Sequence, residues 1–206
     1  MQLVGMLDSP YVRRTAISLS LLGLAFTSRP VSVFSTMEAF RAINPVVKAP
    51  TLVAPDGTVL MDSNLIIDYA EAVAGPARSL WPAELPDRLQ ALRITGLALA
   101  ACEKAVQIVY ENALRPPEKR HAPWLERVEQ QLEAAWAGLE HGLARAAPPA
   151  PAGGQPIGQA GLSAAVAWSF ARLLVPAHAN PAHYPALAAY AAQAETLPVF
   201  TAWPMA

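Results

Sequence analysis

Apolar and polar positions follow two different regimes along the chain, and the change falls between Pro76 and Pro86. Before it, the apolar runs are short and separated by turn residues. Gln2 to Met6 reads as a short strand, Ser9-Pro10 as a turn, and the amphipathic run to about Leu22 as a helix that stops at Gly23. Val31 to Phe34 is a second strand candidate, and Met37 to Ile43 a brief helix that ends before Asn44-Pro45. Thr51 to Ala54 and Thr58 to Met61 flank Pro55-Asp56-Gly57, the pattern of a hairpin. Ser63 is placed to cap a further helix, with Leu65, Ile66, Tyr69 and Val73 at helical spacing and Gly75-Pro76 at its end. This order predicts a small mixed sheet with helices packed on it. After the change, only helical periods remain. Arg88 to Leu114 is one long stretch, and Trp124 to Ala147 another, with Leu125, Val128, Leu132, Trp136, Leu139 and Leu143 on one stripe. Pro148 to Gly158 reads as a loop, Gln159 to Leu174 and Pro185 to Glu195 as two more helices, and the tail from Leu197 as irregular. The expectation is an α/β domain over 1–77, a linker over 78–86 and an all-helical domain over 87–206.

Composition narrows the chemistry. The chain has 206 residues, 53% of them hydrophobic, and carries 15 basic against 16 acidic side chains for a net charge of -1. That balance, with no basic run, gives no footprint for nucleic acid. Cys102 is the single cysteine, so an internal disulfide, a CxxC redox pair and a thiolate metal cluster are excluded. His121, His141, His178 and His183 have no metal-ligand spacing, so no metal is expected. No run of uncharged apolar residues is long enough to span a membrane, and no signal peptide pattern opens the chain; a cytoplasmic location is expected.

The stretch with the most chemical content is Ser9-Pro10-Tyr11-Val12-Arg13-Arg14. Serine is a preferred N-cap and proline suits the first helical position. A hydroxyl there stands beside the positive end of the helix dipole, which favours a nearby anion. Taken alone, this is a helix cap. A serine-hydrolase reading lacks the G-x-S-x-G context.

Two further segments change the reading. Lys48-Ala49-Pro50-Thr51-Leu52 and Asp62-Ser63-Asn64-Leu65-Ile66-Ile67-Asp68-Tyr69 follow the first in order and spacing, all within the first 70 residues. Together the three resemble the glutathione transferase family: the active-site turn of its bacterial, serine-type members, the segment leading into its cis-proline, and its acidic-Ser-x-x-Ile-x-x-Tyr signature. The resemblance implies a thioredoxin-like first domain, an all-helical second domain and glutathione as co-substrate. It implies that Ser9 donates to the glutathione thiolate, and that a cis bond before Pro50 turns the Ala49 backbone toward the cysteinyl residue. It further implies that Asp62 accepts from the γ-glutamyl amine, that Ser63 takes the γ-glutamyl carboxylate, and that Lys48 can pair with the glycine carboxylate; a solvated surface lysine is the other reading of Lys48. A free thiol with a pKa of about 8.5 is only about 3% thiolate at pH 7. Lowering that pKa by about two units takes about 2.7 kcal/mol of preferential thiolate stabilisation.

The remaining expectations are positional. Met6, Leu7, Tyr110, Glu111 and Trp168 are candidates for a pocket that takes a small hydrophobic electrophile. Glu103 stands where some family members place an acid that reaches the partner subunit's glutathione; a solvent-facing helix acid is its other reading. Asp8 opposes thiolate formation unless Arg13 or Arg14 neutralises it, and these arginines read equally well as exposed. Where relatives carry a capping box, this chain has Gly158-Gln159-Ala160-Gly161. The activity expected is conjugation of glutathione by a homodimer with no nucleic-acid or membrane partner. The alternatives are a glutathione-dependent isomerase, dehalogenase or peroxidase, or a non-catalytic interaction protein on the same fold.

Overall fold

The computed structural model of the protein describes residues 1–144 and 157–205. It divides into two compact units, one formed by Met1–Leu80 with the C-terminal segment from Pro198, the other by Trp81–Leu197. Most of the loop expected over Pro148 to Gly158 lies outside the described residues.

The first unit is built on a four-stranded mixed sheet in the order β2-β1-β3-β4. Its strands are β1 (Gln2–Val4), β2 (Thr27–Arg29), β3 (Thr51–Val53) and β4 (Val59–Met61). β1 runs parallel to β2 and antiparallel to β3, which pairs antiparallel with β4. Side chains alternate between faces along a strand. Leu3 and Leu52 accordingly join Val12, Ala16, Leu19, Ile66 and Ala70 on one face, beneath helices α1 (Pro10–Leu21) and α3 (Ser63–Ala74). Val4 faces the other way, onto Val31 and onto Phe40 of the short helix α2 (Met37–Arg41).

The second strand is not the apolar run Val31 to Phe34 but Thr27–Arg29, exposed at all three positions. It is an edge strand held by its backbone ladder to β1, so apolar alternation was never needed there, and Pro30 follows it directly. The C-terminal tail is also more ordered than expected. Pro198–Ala202 is a short helix, α8. Beyond it Trp203 stacks on Phe26 at 5.1 Å and its indole N–H donates to Ser20 Oγ at 2.8 Å. Arg13 is buried, donates through Nε to the Trp203 carbonyl at 2.8 Å, and lies over the Phe200 ring at 5.3 Å. It is neither exposed nor bonded to Asp8; it fastens the C-terminal segment to α1.

The second unit packs α4 (Leu85–Ala113) against α5 (Ala122–Leu143) and α6 (Gln159–Leu174), with α7 (Pro185–Glu195) against α5 and α6. α4 begins at Leu85, one turn before Arg88, because Pro86 sits in its first turn, where a missing N–H costs nothing. The stripe read on α5 is buried from Val128 to Leu143. α7 has no cap of its own; Glu140 of α5 supplies one, accepting from the backbone N–H groups of Ala186 and Leu187 at 2.9 and 2.8 Å. The departure at Gly161 has a packing cause. A Cβ there would collide with the hydroxyl of Tyr190, whose burial pushes its phenol pKa up to about 12.

Candidate active site

Strand register gathers the three sequence motifs. Thr51, the first residue of β3, pairs with Val4, the last of β1, on one side and with Met61, the last of β4, on the other. Gly5 to Ser9, Lys48 to Pro50 and Asp62-Ser63 therefore all leave the sheet at the same end. Strands lie about 4.8 Å apart, so the two outer segments stand about 10 Å apart with the third between them.

The turn after β1 is closed by the Ser9 N–H donating to the Met6 carbonyl at 3.2 Å. Ser9 caps α1: its extended backbone (φ -75°, ψ 122°) lets Oγ accept from the Val12 N–H at 3.4 Å, while its carbonyl accepts the first helical bond from Arg13 at 3.0 Å. A hydroxyl has one proton and two lone pairs, so accepting from Val12 leaves the Ser9 proton free to point at an anion. Gly5 has φ 141°, and a Cβ on it would press on Val12 and stand 3.3 Å from the Ala49 Cβ. Close backbone approach between the first two motifs thus requires glycine at position 5 and favours a small residue at 49. Met6 and Leu7 are half-buried and Asp8 is exposed.

The second motif is anchored from below. Asn44 is buried and donates to Thr51 Oγ1 at 2.8 Å, and Thr51 Oγ1 donates to the Lys48 carbonyl at 2.7 Å. The Ala49-Pro50 bond is cis, as the resemblance implied, and the Lys48 side chain is exposed.

At the third motif the cap is Asp62, not Ser63. Asp62 Oδ1 accepts from the Asn64 N–H at 2.9 Å, and Ser63 is the first residue inside α3. Asp62 has φ 72°, a conformation that costs a non-glycine residue about 1–3 kcal/mol and tends to occur at functional sites. Arg14 reaches across from α1: its Nη1 donates to Ser63 Oγ at 3.0 Å and to Asn64 Oδ1 at 2.8 Å. Like Arg13, it is neither exposed nor paired with Asp8. Sequence reasoning missed Arg14, Asn44 and Gly5 as site-building residues. One signal for the arginines was present: two cations at the fourth and fifth positions of α1 stand near the positive end of the helix dipole, so some other contact has to hold them there.

The candidates in the second unit separate. Glu103 is exposed and pairs within its own helix, with Lys104 at 2.8 Å and Gln107 at 3.2 Å. Trp168 belongs to the helical core, set edge-on between Trp136 and Tyr184, because the apolar period it lies on is the buried face of α6. Cys102 is buried as a small hydrophobe. Tyr110 and Glu111 border a groove of about 450 Å³ with Leu114, Arg115, Lys119 and Trp124. Among the described residues no group of three His, Cys, Asp or Glu is placed to share a metal ion, and no helix is long and apolar enough to cross a membrane.

Glu111 holds that groove's rim. Its carboxyl is kept below the usual 4.5, first by the His121 N–H, which donates to Oε1 at 3.0 Å, and then by Arg115, whose Nε stands 2.8 Å from Oε2; its own desolvation opposes both. A depressed carboxyl pKa contributes stability that is complete above the unfolded value and is lost as pH falls through the folded one. Glu111→Gln is therefore expected to lower the denaturation midpoint at pH 7, with the gap to the unsubstituted protein closing below about pH 4.5. A gap unchanged at pH 3 would mean that the carboxylate contributes nothing.

Residues 3–78 match the family model for the glutathione S-transferase N-terminal domain. The chain is 31% identical over 144 residues to the uncharacterised GST-like protein YibF of Escherichia coli, covering 68% of each chain. It belongs to the glutathione S-transferase family. Among solved structures, a glutathione S-transferase from Methylobacterium radiotolerans in complex with glutathione sulfonate is 25% identical with a TM-score of 0.87, covering 100% of this chain and 95% of that one. A glutathione transferase family member from Pseudomonas fluorescens with bound glutathione is 27% identical with a TM-score of 0.81, covering 98% and 97%. The fold is that of the family: a mixed four-stranded N-terminal unit followed by a helical one.

Proposed function

We propose that the protein is a glutathione transferase whose first unit binds glutathione and whose Ser9 hydroxyl stabilises the thiolate for attack on a small hydrophobic electrophile. The observation that carries this reading is the row Val4–Thr51–Met61, which brings a donor turn, a backbone edge and a helix N-terminus to one end of the sheet. Glutathione matches these in sequence. Its thiol meets Ser9, its cysteinyl backbone meets the Ala49 edge as an added strand would, and its γ-glutamyl group meets Asp62 and Ser63 at the start of α3. Asp62 caps Asn64 through Oδ1, which leaves Oδ2 for the γ-glutamyl amine. Lys48 reaches the glycine carboxylate.

The chemistry follows. Ser9 is a donor to sulfur and never a nucleophile: the thiol proton leaves to solvent, sulfur attacks carbon, and the leaving group departs with its electron pair. Met6 and Leu7 give the electrophile an apolar neighbourhood beside Ser9. The test is the ultraviolet thiolate absorbance of bound glutathione as a function of pH. A midpoint about two units below the free thiol supports an activating site, whereas binding with an unshifted midpoint would replace the enzyme reading by a ligand-sensing or scaffold role.

A homodimer is part of the proposal. Leu85, Leu89 and Leu92 are exposed on one stripe of α4, a spacing suited to packing against another copy. Sedimentation that shows only monomer at micromolar concentration would remove it.

A further inference from the structure

We infer that Arg14 is a positioning residue for the ligand: it sets the direction of the Ser63 hydroxyl so that this group donates to the γ-glutamyl carboxylate. The inference rests on the reading that Ser63 receives that carboxylate. Arg14 Nη1 lies 3.0 Å from Ser63 Oγ and 2.8 Å from Asn64 Oδ1, and Arg14 and Ser63 are each only 3% exposed. A guanidinium can only donate, so Ser63 Oγ is the acceptor and its own proton must point away from Arg14. Without that contact a serine hydroxyl in the first turn of a helix can rotate among its staggered wells and bond its own backbone. The second bond, to Asn64, fixes the plane of the guanidinium.

Polarity adds to direction. A cation donating to a hydroxyl oxygen withdraws electron density and makes its proton a better donor, so guanidinium, hydroxyl and carboxylate form one polarised chain. The chain ends at the start of α3, where the helix dipole also favours an anion. It accounts for a cation at the fifth position of α1, near the helix end whose field is against it. Arg14 touches no reacting atom, so its effect falls on affinity and discrimination and leaves thiolate chemistry at Ser9 alone.

The test compares glutathione with 4-aminobutyryl-cysteinyl-glycine, which lacks only the γ-glutamyl carboxylate. The unsubstituted protein is expected to prefer glutathione by about tenfold or more, the scale of one hydrogen bond to a charged group. Arg14→Gln is expected to reduce that preference to about threefold or less, with kcat at saturating glutathione nearly unchanged. Asn64→Ala, at an exposed position, releases one anchor of the guanidinium without opening the core and is expected to lower the preference by about threefold. Ser63→Ala should abolish the preference whether or not Arg14 matters. A purely structural Arg14 would weaken both ligands by the same factor and leave the preference intact, which overturns the inference, as would a preference unchanged in both Arg14→Gln and Asn64→Ala while Ser63→Ala loses it. No binding of glutathione by the unsubstituted protein, or no preference in it, rejects the reading of Ser63 itself and the inference with it.

Discussion

Ser9→Ala is expected to slow conjugation at pH 6.5 by roughly tenfold, and the deficit should vanish as pH rises through about 8.5. The size follows from two opposed effects. If the bound thiol has a pKa of about 6.5, half of it is thiolate at that pH; returned to about 8.5, about 1% is, a loss of roughly fiftyfold. The thiolate that remains is more basic and so more reactive, recovering about six- to tenfold for a two-unit change when rate follows roughly the 0.4–0.5 power of basicity. Loss of the orienting hydrogen bond adds a small further deficit, which at high pH is offset by the greater basicity of the variant's thiolate. Above about pH 8.5 the thiol ionises without help, and the variant approaches the rate of the unsubstituted protein. Glutathione affinity should change less than turnover, because in the proposed complex Ala49, Asp62 and Ser63 still hold the peptide. The decisive measurement is the pair of pH profiles together with the thiolate titration of each protein. Coincident midpoints in the two would mean that Ser9 is a helix cap and nothing more.

The parts of this site that could be read from sequence are those whose chemistry is local. A serine before a proline, a residue pair before a cis-proline and an acidic-serine pair opening a helix each show within a few residues, and the strand register then brings them to one end of the sheet. What could not be read depends on distant partners. Arg13 meets Trp203 at a separation of 190 residues, and Arg14 meets Ser63 and Asn64 at 49 and 50. The run Val12-Arg13-Arg14-Thr15 sets two cations against the dipole of α1, but it does not say which distant groups they turn to meet. β2 was invisible for a different reason: an edge strand is held by backbone bonds, and Thr27-Ser28-Arg29 carries no apolar alternation to betray it. The assignment of the cap to Ser63 rather than Asp62 erred by one residue, because either side chain can cap and only the positive φ at Asp62 decides. Trp168 shows the opposite difficulty, since a large aromatic at helical spacing serves a core and a pocket equally well.

That core carries the largest stability effect expected of a single substitution in the helical unit. Trp136 is the largest fully buried side chain among the described residues, and it meets Trp168 edge-on at 5.3 Å and 84°. Truncating such a residue costs about 3–5 kcal/mol, because the surrounding helices close the space only in part. Trp136→Ala is therefore expected to cost about 4 kcal/mol and to lower the urea midpoint of the helical unit steeply. The indole N–H, however, has no hydrogen-bond partner among the described residues. A buried donor left unpaired is itself destabilising by about 1–3 kcal/mol, so the native side chain is held by its size and its ring contact against the penalty of its own polar atom. Trp136→Phe removes the donor, keeps an aromatic edge for Trp168 and loses only part of the volume. Its expected cost is about 1 kcal/mol or less, far below that of alanine although both delete the indole. Urea denaturation of the three proteins separates the two contributions. If phenylalanine proved as costly as alanine, the N–H would have to be partnered in solution, and the stability of this core would rest on a polar contact rather than on packing.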